Sequence, residues 1–178
     1  MKKVVKNSKG QVWIETVVYT LIAFAILGAV LGFAKPKIEE LQDKAVIEQS
    51  ILMLENIDGI IEEIKTVEGN KREIELGIKK GSLTIDSENN QIIFKIDSRY
   101  TYSEPGILYE KGIIKIYNQK IGELNKLNAT ISYEGNYTLT WDNSENEEEL
   151  SASSTPYRVF ISNAGELEGL TNINFEFA

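Results

Sequence analysis

From Thr16 to Ala34 the chain runs nineteen residues, TVVYTLIAFAILGAVLGFA, without a charge. As a helix rising 1.5 Å per residue, this stretch spans about 28 Å, the thickness of a bilayer's hydrocarbon core. Lys2, Lys3, Lys6 and Lys9 precede it, while only Lys35 and Lys37 follow closely. Because basic residues stay on the cytoplasmic side, this asymmetry predicts a cytoplasmic N-terminus with the bulk of the chain outside the cell.

Three devices use such a segment: an ordinary secretory signal, a permanent anchor, or a signal whose cut precedes the apolar stretch. An ordinary signal ends in a small-x-small cut after a shorter apolar core. Gly32-Phe33-Ala34 could serve as one, but the stretch is long for that role. It also begins with an isolated acid, Glu15, which neither a signal peptide nor a plain anchor requires.

The string Lys9-Gly10-Gln11-Val12-Trp13-Ile14-Glu15, running into the apolar segment, resembles the class III signal peptide of type IV prepilins, and Gln11 gives it an archaeal look. Trp13 stands where the archaeal pattern often has serine. The resemblance implies that a prepilin peptidase cuts between Gly10 and Gln11, so that Gln11 becomes the first mature residue and Glu15 the fifth, where the family keeps its glutamate.

The physics of Glu15 leads to the same expectation by another route. An unpaired carboxylate in a bilayer helix is unfavourable by up to about 3 kcal/mol at full depth. Cleavage after Gly10 creates an α-amino group on Gln11, and in a staggered bundle that amine can reach the Glu15 of a neighbour. Such a pair would set axial register, as a buried polar residue does in a coiled coil. The plainer reading is a carboxylate that snorkels to the headgroups. Gly28 and Gly32 form a GxxxG, with Ala25 and Ala29 at the same spacing, which permits close helix approach in a membrane or filament core.

After Lys35-Pro36-Lys37 the pattern changes. Val46, Met53, Ile60 and Val67 stand seven apart, flanked by Ile47, Leu54, Ile61 and by Ile51, Ile57, Ile64, which predicts an amphipathic helix. Glu39, Glu40, Asp43, Glu48, Glu55, Asp58, Glu62 and Glu63 are expected on its water face. Pro36 should kink the junction, and Gly69-Asn70 should end the helix. The apolar stripe is expected to seat a globular head.

From Ile74 onward apolar residues recur at period two, at Ile74-Leu76-Ile78, Leu83-Ile85, Ile92-Phe94-Ile96, Ile114-Ile116, Leu127 to Tyr133, Tyr137-Leu139-Trp141, Tyr157-Val159-Ile161 and Ile173-Phe175-Phe177. Turns are expected at Lys80-Gly81, Glu88-Asn90, Glu134-Asn136 and Asn163-Gly165. Seven or eight short strands predict an antiparallel sandwich or strongly curved sheet. Asn128-Ala129-Thr130 and Asn136-Tyr137-Thr138 are glycosylation sequons, with Asn128 at outward parity and Asn136 in a turn. The acidic run from Asp142 to Glu149 lacks the glycine and spacing of a calcium loop and is expected to be a solvated, mobile loop.

The chain has no cysteine and no histidine, which removes thiolate chemistry and the commonest general base, and no GxSxG, P-loop or GxGxxG is present. No enzyme, cofactor or metal is therefore expected. The formal charge is −8 although the first ten residues carry four lysines and no acid, so the body is strongly acidic and nucleic acid is not an expected partner.

The combined expectation is an α+β chain: a basic leader over 1–10, a transmembrane and assembly helix over 11–36, an amphipathic stalk over 37–68 and an extracellular β-rich head over 69–178. Its expected role is that of a pilin-like subunit, major or minor, inserted in the membrane with its N-terminus cytoplasmic. It would be cleaved after Gly10 and polymerised with other pilin subunits, as a homo- or heteropolymer, by the assembly machinery. The first rival is a single-pass anchored or secreted extracellular binding protein that does not polymerise, and the second is an extracellular enzyme, which would need carboxylates converging in a cleft.

Overall fold

The computed structural model describes the backbone from Ser8 to Ala178 and the side chains from Trp13 onward. Lys2, Lys3 and Lys6 lie outside the described residues, and Lys9, Gly10 and Gln11 are described only as helical backbone. The chain divides into two compact units, Met1–Glu39 and Glu40–Ala178. A single helix, α1 (Ser8–Ile64), supplies the described part of the first and the opening of the second. Pro36 stands inside α1, which continues past it.

In the second unit α1 buries Ile47, Ile51, Leu54, Ile57, Ile61 and Ile64. Steps of three and four residues keep these side chains on one face, and each contributes about 1.5–3 kcal/mol when fully buried. Val46, Met53 and Ile60, expected at the centre of the stripe, only flank it, and Val67 is exposed beyond the helix end. Neighbouring positions differ by about 100° around a helix, so a repeat of seven fixes the stripe's existence but leaves its centre to the surface it meets. Asp43, expected on the water face, is only 4% exposed.

Ten strands follow: β1 (Lys71–Leu76), β2 (Ser82–Asp86), β3 (Gln91–Ser98), β4 (Leu108–Lys111), β5 (Ile114–Ile121), β6 (Leu124–Ser132), β7 (Tyr137–Trp141), β8 (Glu147–Ser151), β9 (Tyr157–Leu167) and β10 (Leu170–Phe177). They form a four-stranded sheet, β1-β9-β10-β7, and a six-stranded sheet, β4-β5-β6-β3-β2-β8. The fold is therefore α+β, a long helix with a β head. Pairing is antiparallel except between β10 and β7. Inward residues of both sheets share one core with the α1 stripe, including Phe94, Ile116, Leu127, Ile161 and Phe175.

Two strands, β4 and β8, lie outside the alternating runs; β8 takes the last three residues of the expected acidic loop, while residues 142–146 are exposed and belong to no named strand. β4 carries its apolar residues outward at an edge. β8 occupies the end of the acidic run that was expected to be a solvated loop, pairing with β2 so that Leu150 faces Leu83. Its sequence, Glu-Glu-Glu-Leu-Ser, has a single apolar residue, so no alternation announces it; an edge strand needs only one anchor. The turn expected at Asn163-Gly165 lies within β9, and the chain reverses instead at Glu168-Gly169, both at positive φ as a two-residue hairpin turn requires.

Asn163 also explains where α1 stops. The helix ends at Ile64, before Gly69-Asn70, and the Asn163 side-chain amide donates to the carbonyls of Ile64 (3.3 Å) and Lys65 (2.9 Å). Its own carbonyl oxygen accepts from the Gly165 N–H at 3.0 Å. A cap supplied from about one hundred residues away cannot be read locally. Asn163→Ala removes these bonds from a buried site and is expected to destabilise the head by about 1–3 kcal/mol, measured as a shift of the denaturant midpoint at unchanged slope.

Candidate assembly site

The first unit presents apolar surface to its surroundings. Large side chains from Trp13 to Phe33 are exposed, ranging from 41% at Val17 to 84% at Phe33. By length and composition this helix can cross a membrane. Atoms built at the Cβ positions of Gly28 and Gly32 would meet nothing within 4 Å, so both glycines leave open helix surface.

Glu15 sits on this helix as an exposed acid one turn before Tyr19, whose hydroxyl donates to the Glu15 carboxylate at 3.3 Å. Sequence reasoning missed Tyr19, although the i,i+4 spacing of an acceptor and a phenol is itself a readable signal. Lys9, Gly10 and Gln11 fall on the first residues of α1 as backbone, with no side-chain geometry described.

The two sequons occupy different surroundings. Asn136 is exposed in the turn between β6 and β7. Asn128 is half-buried in the middle of β6, opposite Lys95 on β3 and Tyr117 on β5, and borders a concavity of about 360 Å³ with Gly81, Ser82 and Lys126. Among the described residues no group of three or more acids, His or Cys is placed to hold a metal.

The head is fastened to α1 by polar contacts that the helical pattern did not reveal. Asp43 accepts from Lys80 Nζ at 2.5 Å and from the Arg99 N–H at 2.7 Å. Near the other end, Tyr133 donates to Asp58 at 3.0 Å and Tyr137 to Glu62 at 2.9 Å, while Lys65 Nζ lies 2.6 Å from Glu62. Burial raises the Asp58 carboxyl above its ordinary value, against the lowering effect of the Tyr133 bond. Lys65 and Tyr137 hold Glu62 below its ordinary value.

These two acids act oppositely on stability. A raised folded value means that the native state holds its proton longer, so Asp58 subtracts stability as pH rises from about 3.8 through its folded value. A lowered one means that Glu62 adds stability above about 4.5, lost as pH falls through its folded value. Asp58→Asn keeps an acceptor for Tyr133 and is expected to hold or raise the melting temperature by a few degrees at neutral pH. Glu62→Gln is expected to lower it slightly. Thermal melts from pH 3 to 7 check both signs.

No protein-family model, curated protein or solved structure matches this chain.

Proposed function

We propose that the chain is a structural subunit of a type IV pilus-like surface filament, inserted in the membrane, cleaved between Gly10 and Gln11, and polymerised through α1. The observation that carries this reading is an apolar helix, exposed on all sides from Trp13 to Phe33 and opened by one acid, on a chain whose β head closes its core with only the later turns of α1. Such a helix needs either lipid or other helices around it, and a filament core supplies the second after the membrane has supplied the first. Glu15 fits because its partner amine, on Gln11 of a neighbour, exists only after cleavage. A head with an acidic surface and no cysteine suits a role whose chemistry is assembly.

The N-terminus of the protein recovered from cells tests the reading. A chain beginning at Gln11 is expected, whereas Lys35 would identify a secreted product and Met1 a plain anchor. Replacing Gly10 with a bulky residue should leave the full-length precursor in the membrane, scored by mass spectrometry. A product that still begins at Gln11 would show that the glycine does not direct the cut.

A further inference from the structure

The formal charge of −8 is concentrated at one end of the head. Segments 86–91 and 133–149 hold eight carboxylates and no Lys or Arg, as much charge as the whole chain carries net. The fold gathers them: Ser87 Oγ donates to the Asn146 carbonyl at 2.8 Å, the Tyr133 N–H to the Asn90 carbonyl at 2.8 Å, and Asp86 stands opposite Glu147. The Tyr133 bond to Asp58 places this acidic end beside the later turns of α1.

The opposite end has the other sign. Asp43, about 22 Å earlier along α1 at 1.5 Å per residue, is met by Lys80 and by the Arg99 backbone. Pairing of Ser98 with Asn125, of Lys120 with Asn125 and of Asp97 with Lys126 brings Lys120 and Lys126 to the same end, and Lys95 stands opposite Ser82, beside Gly81. With Lys44 and Lys79 these are seven cations against five acids, Glu40, Asp43, Asp97, Glu104 and Glu123. Lys79, Lys95, Lys120 and Lys126 are exposed and make no ion pair among the described residues. Ile121 and Leu124, both exposed, flank Asp97 and Lys126 in a shallow hollow of about 140 Å³.

We propose that the acidic and basic ends of the head are the two halves of a head-to-tail contact with a second copy of this chain. The acidic end repels itself, so a two-fold dimer through it is disfavoured, while acidic-on-basic docking is heterologous and generates an open array. Charge complementarity sets orientation and encounter rate, and the exposed Ile121 and Leu124 offer apolar area to bury. The contact's place in a filament rests on the function proposed above; its existence does not.

The test uses the full chain in neutral detergent, followed by sedimentation velocity at about 50 and about 500 mM salt, where the screening length falls from roughly 14 to roughly 4 Å. The native chain is expected to form larger species at low salt that dissociate at high salt. Glu145→Lys/Glu147→Lys/Glu149→Lys and Lys79→Glu/Lys95→Glu/Lys126→Glu should each stay small alone, with unchanged melting temperatures, and their equimolar mixture should recover the larger species. A mixture that stays small, or variants that sediment like the native chain, overturns the proposal. So does binding to anionic vesicles that the lysine variant alone abolishes, with no recovery on mixing, since the basic end would then serve a lipid surface. Association through α1 would be insensitive to salt and to these charges. Because the measurement needs neither cleavage nor assembly machinery, its outcome is independent of whether the cellular N-terminus is Gln11.

Discussion

Glu15→Ala is expected to insert in the membrane at least as well as the native chain, to be cut normally after Gly10, and to yield almost no filament. Removing a charge from an apolar segment makes insertion more favourable. Removing one partner of a desolvated ion pair, by contrast, leaves the other uncompensated, at a cost of about 3–5 kcal/mol per contact, a hundredfold or more in association. Glu15→Asp keeps the charge but shortens its reach by one methylene, so partial assembly is expected. Tyr19→Phe is the informative companion. It deletes the hydroxyl that donates to Glu15 within the same chain. If the neighbour's amine is the partner that matters, filaments should persist in this variant. The measurement is sheared filament relative to mature subunit left in the membrane. Equal yields from the native, Asp and Ala chains would sink the pairing role and return Glu15 to a snorkelling acid. A native chain that fails to polymerise in a host with the assembly machinery would favour the anchored binding protein.

Phe94→Ala is expected to be the most damaging single change in the head. Phe94 is fully buried at the centre of the six-stranded sheet, between Leu83 on β2 and Ala129 on β6. Truncation removes transfer free energy and leaves a cavity beside a small neighbour that cannot fill it, for about 3–5 kcal/mol. At about 3–4 °C per kcal/mol for a unit of this size, the melting temperature should fall by roughly 10–20 °C. Phe177→Ala makes the contrast. Phe177 ends β10, is 49% exposed, and meets Trp141 edge-on with ring centroids 5.0 Å apart. Its loss should cost about 1 kcal/mol, the worth of an aromatic pair with partial burial. Circular dichroism melts of the two variants beside the native chain check the ratio. Comparable losses from both would mean that the C-terminal edge of β10 carries more of the fold than its exposure indicates.

Period alone cannot tell these two residues apart, since Phe94 and Phe177 both sit at inward parity in alternating runs. Parity assigns a face, whereas burial depends on how many strands lie on either side. Asp43 and Asp58 teach the same lesson on the helix. Both belong to an acidic face by sequence, yet Asp43 is closed in by Lys80 and Arg99, and Asp58 receives Tyr133. β8 and the Asn163 cap were illegible for a further reason: one is an edge strand with a single anchor, and the other acts across about a hundred residues.

The sequence by itself determined the periodicities: nineteen uncharged residues, an apolar stripe at helical spacing, and alternation through the second half of the chain. Those features dictate a long helix and a β-rich head because they follow from backbone geometry, which repeats along the chain. The string from Lys9 to Glu15, from which the proposed cleavage after Gly10 is drawn, is likewise local. Only the tertiary structure decided the centre of the buried stripe, the order of ten strands in two sheets, the end of α1, and the gathering of acidic turns at one end of the head and lysines at the other. These depend on contacts between residues far apart in the chain, whose closeness is set by packing the whole core at once, and no local pattern records that packing.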